Sequence, residues 1–215
     1  MNIYNMLDIG GISKRMDFSV EHSINHRDMV VSSSSEFSTI AYVIRGQCRV
    51  LRGGESRHIP ELSFYLRESH DETVEYITNS VGVFEQVAIH INTKALFATD
   101  VRVDSDVERR FEHALLVALS SVMPIDEVAS LCCMSLSTFK RHFRARFQMS
   151  PHRWIQSVRL RVAYEIITTC DISTEHISRM CGFSNVSYFT AMFRLTFGIT
   201  PACARQMSRY MRDRG

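Results

Sequence analysis

The sequence predicts an α+β chain with a strand-rich first half and an all-helical second half. Three observations carry that prediction. Between about Val30 and Ile91, β-branched and aromatic residues alternate with polar ones at period 2, punctuated by turn residues. From Val107 onward the apolar residues recur at helical spacing instead. Within that second half, the stretch Ile125–Pro151 is written again at Thr174–Pro201. Two copies are too few for a solenoid, so the repeat points to a duplicated supersecondary unit.

Composition fits a chain in two parts. Its 215 residues are 45% apolar and 22% charged, enough to build packed cores. The formal net charge of +2 conceals a division: residues 1–106 hold 10 Lys/Arg and 15 Asp/Glu, whereas residues 107–215 hold 15 and 8. A basic half is the electrostatic footprint of a polyanion binder, and an acidic half argues against nucleic acid there. The six cysteines (Cys48, Cys132, Cys133, Cys170, Cys181, Cys203) form neither a C-x-x-C pair nor an evenly spaced framework, so reduced thiols in a cytoplasmic protein are expected. Cys132, Cys133 and Cys181 fall beside helix turns and are expected as small buried hydrophobes. Met1–Gly11 lacks the basic start and apolar run of a signal peptide, and no run of 18 apolar residues occurs, so no membrane partner is expected.

In the first half, Thr39–Val43 and Cys48–Leu51 flank Arg45-Gly46-Gln47, which reads as a hairpin, and Gly53-Gly54 marks the next turn. Leu62–Leu66, Thr73–Ile77 and Val83–Ile91 supply three more strands. A short meander with such turn spacing predicts a small barrel or sandwich and resembles the cupin-like barrel found ahead of some bacterial DNA-binding domains. Five histidines lie in this half: His22, His26, His58, His70 and His90. A metal-binding cupin places H-x-H on one strand because alternate residues share a face, and the chain contains no H-x-H, so no metal or other cofactor is expected. The serine run Ser32–Ser35 reads as a loop, since no G-x-S-x-G elbow frames a nucleophile.

In the second half, Phe111, Ala114, Leu115 and Ala118 make Val107–Ser121 an amphipathic helix, and Pro124 opens the next element. Asp126–Cys132 is a short helix, Ser135 to Ser137 the turn and cap, and Phe139, Phe143 and Phe147 the apolar stripe of a third helix. At 100° per residue, Ser137, Lys140, Arg141, Arg144 and Gln148 fall opposite that stripe. One face packs and the other is cationic, as a helix entering a DNA major groove requires. Pro151–Thr169 is one long helix with Trp154, Val158, Val162 and Ile166 in line. In the second copy Ser184 aligns with Ser135, after which one inserted residue brings Phe189, Phe193 and Phe197 onto the stripe. Outward fall Ser187, Thr190, Ala191, Arg194 and Gly198; Ser184-Asn185 can cap the helix, and Tyr188 adds a hydroxyl.

These residues resemble the AraC/XylS transcriptional regulators. Cys181-Gly182-Phe183-Ser184-Asn185-Val186-Ser187-Tyr188-Phe189, then Phe193-Arg194, then Phe197-Gly198-Ile199-Thr200-Pro201, is similar to the family signature almost residue for residue. The first copy agrees through Ser135, Phe139, Phe143 and Ser150-Pro151, with Gln148 standing where the family often has glycine. The resemblance implies an all-α domain with two helix-turn-helix motifs joined by a long helix, and a regulator that binds double-stranded DNA and contacts RNA polymerase. It places Ser137, Lys140, Arg141 and Arg144 at the bases from the first motif, and Val186, Ser187 and Ala191 from the second, with Thr190 and Arg194 near the backbone. The expected domains are 1–100, a cupin-like regulatory or dimerisation domain; 101–106, a linker; and 107–215, the DNA-binding domain. Candidate further partners are a small apolar ligand in the barrel, a protein effector and a second copy of the chain. The expected function is transcriptional activation without enzymatic activity. Two other readings are an interaction module that sequesters another regulator and a cupin-type enzyme.

Overall fold

The computed structural model describes residues 18–32, 37–67, 72–92 and 105–214. The N-terminal residues 1–11, His70, most of the serine run and the linker positions 101–104 lie outside the described residues. Backbone contacts separate a strand-built unit within Met16–Ala98 from a helical unit in Thr99–Gly215.

The strand unit holds β1 (Phe18–Asn25), β2 (Met29–Ser32), β3 (Ser38–Arg45), β4 (Gln47–Arg52), β5 (Glu55–Ile59), β6 (Phe64–Arg67), β7 (Glu72–Ile77) and β8 (Phe84–Ile91). They pair as two antiparallel four-stranded sheets, ordered β1-β8-β3-β6 and β2-β7-β4-β5. Alternation explains the shared interior. Cys48 and Val50 of β4 and Val74 and Tyr76 of β7 point inward, where they meet Ala41, Val43, Tyr65, Phe84 and Ala88 from the other sheet. Tyr76 stacks on Phe84 with centroids 4.5 Å apart. Gln86 is buried in this core and satisfied across it: the Tyr65 hydroxyl donates to its Oε1 at 2.8 Å, and its Nε2 donates to the Tyr76 hydroxyl at 3.1 Å. A polar bridge thus ties the two sheets together.

Two expectations are corrected here. β3 and β4 do not form a hairpin: β3 pairs with β6 and β8, and β4 with β5 and β7. Gly46 alone separates them, at φ +81°, and the chain steps from one sheet to the other there; a Cβ at this corner would lie 2.7 Å from the Ile77 carbonyl oxygen. The strand order is accordingly not a meander. Gly53-Gly54, by contrast, is a two-residue hairpin loop between β4 and β5, with φ of +55° and +87°. β1, β2 and β5 were not foreseen. β1 pairs with β8 along its whole length, and β5 is a polar edge strand that buries only Ile59. The histidines are scattered: His22 Nε2 lies 2.9 Å from Glu85, His90 Nδ1 lies 3.0 Å from the Thr39 hydroxyl, and His26 and His58 are exposed.

The helical unit contains α1 (Ser105–Ser120), α2 (Ile125–Leu131), α3 (Leu136–Phe147), α4 (Pro151–Thr169), α5 (Thr174–Met180), α6 (Val186–Phe197) and α7 (Pro201–Arg212). Its starts and stops are written locally. The side chains of Ser135, Ser150, Ser173, Asn185 and Thr200 each accept a backbone N–H three residues on, capping α3 to α7. Pro151 and Pro201 open α4 and α7 just inside those caps. The two copies pack alike. Phe139, Phe143 and Phe147 gather around Phe111 and Trp154, with Phe147 and Trp154 centroids 4.8 Å apart. In the second copy Tyr164 of α4 packs on Phe193 and Phe197, at 6.0 and 5.0 Å. The stripe Trp154, Val158, Val162 and Ile166 is buried along α4, so the long helix serves both clusters.

Candidate nucleic-acid interface

Each short helix is followed by a turn in left-handed backbone and then a capped longer helix. In the first copy Cys133 takes φ +55° and donates to the Ser130 carbonyl at 2.9 Å; in the second Gly182 takes φ +73° and donates to the Arg179 carbonyl at 2.9 Å. Cys133 is therefore exposed at the bend, not buried as expected, because the left-handed turn directs its side chain outward. Cys132 and Cys181, one residue earlier, are buried. The caps sharpen the alignment of the copies. Ser135 caps α3 and Asn185, not Ser184, caps α6, so the inserted residue precedes the cap and Ser184 stands exposed beside it.

With the phenylalanines of α3 fixed in the core, Ser137, Lys140, Arg141 and Arg144 all project to solvent. The Ser137 hydroxyl lies 3.1 Å from the capping Ser135 Oγ, at the start of the helix. On α6, Val186, Ser187, Tyr188, Ala191 and Arg194 are exposed and Thr190 is half-buried. Asn185 spends its Oδ1 on the Tyr188 backbone N–H at 2.9 Å. The Tyr188 hydroxyl accepts a hydrogen bond from Gln156 Nε2 of α4 at 2.8 Å, which fixes the ring while leaving its O–H free to donate. Gln156 was not singled out from the sequence, where it reads as one more polar residue on a long amphipathic helix.

Several cations of the helical unit are held by protein groups, while Arg110, Arg153 and Arg212 have no side-chain hydrogen bond or ion pair among the described residues. Arg146 pairs with Glu108 and lies over the rings of Phe111 and Phe147; Arg179 pairs with Glu175; Arg205 donates to the Ile172 carbonyl; Arg209 lies 2.5 Å from Asp171. Lys140, Arg141, Arg144 and Arg194 instead have no side-chain hydrogen bond or ion pair among the described residues. Three of them form a ridge on α3 and one stands alone on α6. Four cations held clear of protein acceptors offer their charge to an external anion.

Residues 128–207 match the family profile described as a helix-turn-helix domain. A helical unit of this class presents one helix of each pair outward. The matched segment, residues 128–207, runs from α2 into α7 and so takes in both short-helix–turn–long-helix pairs. Among curated relatives, the virulence regulon transcriptional activator VirF of Yersinia enterocolitica is 40% identical over 72 residues, covering 34% of this chain and 27% of that protein. LumQ of Photobacterium leiognathi is 26% identical over 200 residues, covering 89% of this chain and 77% of that protein. Among solved structures, the DNA-binding domain of the global transcriptional factor AdpA, in complex with a target DNA, is 27% identical, covers 52% of this chain and 100% of that chain, and has a TM-score of 0.47. No helix among the described residues is long and apolar enough to cross a membrane.

Proposed function

We propose that the chain is a sequence-specific, double-stranded-DNA-binding transcription regulator of the activator kind. Its two helix-turn-helix motifs, α2–α3 and α5–α6, set α3 and α6 into successive major grooves, where side chains reach base edges and phosphates. The observation that carries this reading is the ridge of unpaired cations, Lys140, Arg141 and Arg144, on a capped helix whose other face buries Phe139 and Phe143. Ser137 joins that ridge at the helix start. The second head contributes less charge: Arg194 and Thr190 near the backbone, Val186, Ser187 and Ala191 toward bases, and the helix start at Ser184-Asn185 with Tyr188 toward a phosphate. Methyl groups of Val186 and Ala191 suit thymine.

The strand unit is read as a small cupin-like barrel with a regulatory or dimerisation role. In this reading residues 1–100 form that domain, 101–106 the linker and 107–215 the DNA-binding domain, and the protein acts in the cytoplasm. RNA polymerase, an effector and a second copy of the chain are its proposed further partners. The match to a transcriptional activator favours regulation over the sequestering module and the cupin-type enzyme. A gel-shift titration tests the interface, using duplexes selected by the unaltered chain from a random-sequence pool. Arg141→Ala and Arg144→Ala should each weaken binding by about 1–3 kcal/mol where the side chain reaches a base. Unchanged affinity in either variant removes that arginine from the interface.

A further inference from the structure

Arg159 lies in the middle of α4, with its guanidinium drawn in between elements that belong to different heads. Nη2 donates to the Ala118 carbonyl at 2.8 Å and the Ser121 carbonyl at 2.5 Å, and Nη1 reaches the Gly182 carbonyl at 3.4 Å. The first two acceptors stand at the C-terminal end of α1, where helix carbonyls lack intrahelical partners and a cation is favoured. The third lies in the turn between α5 and α6. That turn presses on the guanidinium: a Cβ on Gly182 would sit 2.9 Å from Arg159 Cζ. α1 is also the helix whose Phe111 packs against Phe139, Phe143 and Phe147 of α3. A continuous chain of contacts therefore runs from α3 through α1 and Arg159 to the turn that carries α6.

Arg159 is not needed to build the repeated unit. The duplication that superposes Pro151 on Pro201 superposes Arg159 on Arg209, and Arg209 makes an exposed pair with Asp171 instead. Bringing a guanidinium under a turn costs desolvation, which charge-assisted bonds to three carbonyls offset. At the junction between the heads Arg159 meets carbonyls from two elements, whereas its duplicate Arg209 meets a carboxylate.

We infer that Arg159 is a positioning residue that locks the spacing and orientation of the two DNA-reading helices, so that the protein measures the distance between the two halves of its site. The inference rests on the DNA-binding reading above. It is tested with the full chain and a duplex that the unaltered chain has selected from a random pool. Affinity is compared with that for the same duplex carrying one or two base pairs inserted between the two protected segments. Each inserted pair displaces one half-site by about 3.4 Å and rotates it by roughly 35°. The unaltered chain should lose on the order of tenfold or more with two inserted pairs, since misplacing one head forfeits its contacts. Arg159→Met and Arg159→Lys, each shown to be folded by its thermal transition, should lose less than about threefold on the same insertion.

Folded variants that keep the unaltered insertion penalty overturn the inference. So does an unaltered chain that tolerates both insertions equally. If Arg159→Met fails to fold, the Lys variant decides by the same ratio, because its ammonium can reach one carbonyl but not bridge all three. Failure of the unaltered chain to select any duplex is a different result, and it overturns the DNA-binding reading itself.

Discussion

Gln148 holds a backbone conformation that its duplicate assigns to glycine. It ends α3 at φ +56°, where Gly198 ends α6 at φ +74°, and both donate their N–H to the carbonyl four residues back. A residue with a Cβ pays about 1 kcal/mol or more for that left-handed state. Gln148 recovers part of it through its Nε2, which donates to the Ala145 carbonyl at 2.9 Å. Gln148→Gly should stabilise the helical unit by about 1 kcal/mol in urea denaturation; a loss of stability would mean that the side-chain bond outweighs the backbone strain. The thiols separate just as sharply. Burial pushes Cys48 and Cys181 up to about 12 and Cys132 up to about 11, whereas Cys133 and Cys203 are exposed. Alkylation acts on the thiolate. Brief iodoacetamide treatment of the native chain near neutral pH should label Cys133 and Cys203 and spare Cys48, Cys132 and Cys181. Equal labelling of Cys181, read by peptide mass, would contradict its burial.

At the level of elements, the helices were legible and the sheets only partly so. α4 spans Pro151–Thr169 as the sequence predicts, because a Ser-Pro start and a continuous apolar stripe are local signals. Strand partners are not local. Arg45-Gly46-Gln47 announces a change of direction, but nothing in those three residues distinguishes a hairpin from a step between sheets. β5 carries too few apolar residues to register as a strand, and its order comes from pairing with β4. The cationic ridge was legible because exposed basic residues keep the 100° spacing of their helix. Gln156 and Arg159 were not, since their partners are a tyrosine hydroxyl from a distant helix and backbone carbonyls, and carbonyls leave no trace in a side-chain pattern. The duplicated stripe also fixes what truncation should do. Phe143 and Phe193 are both fully buried, so Phe143→Ala and Phe193→Ala should each cost about 3–5 kcal/mol. Leu195 is 78% exposed on the same helix as Phe193, so Leu195→Ala should stay within about 0.5 kcal/mol. Denaturant midpoints showing equal losses for Phe193→Ala and Leu195→Ala would overturn the assigned inner and outer faces of α6.

For the molecule as a whole, the division of charge is the property that DNA would sense. The strand unit lies in the acidic half and the unpaired cations lie in the basic one. If Lys140, Arg141, Arg144 and Arg194 neutralise phosphates, binding releases counterions and log K should fall with log salt at a slope of about −0.9 per phosphate contacted. A titration of the selected duplex between low and physiological salt should therefore show a steep loss of affinity. A flat response would favour the sequestering reading, in which α3 meets protein. Replacing one cation at a time should lower the slope by about 1 for a phosphate contact and leave the rank order of sequences unchanged.

α3 and α6 share the same punctuation. Each begins after a polar cap, Ser135 or Asn185, stops in left-handed backbone at Gln148 or Gly198, and hands over to a Ser-Pro or Thr-Pro restart. Residues 136–147 and 186–197 are thus equal-length cassettes between matching start and stop signals. Mutation can rewrite the outward letters of one cassette while its inward phenylalanines and its boundaries stay fixed. Under the proposed function, either half of a DNA site can then drift through evolution while the other head retains its contacts.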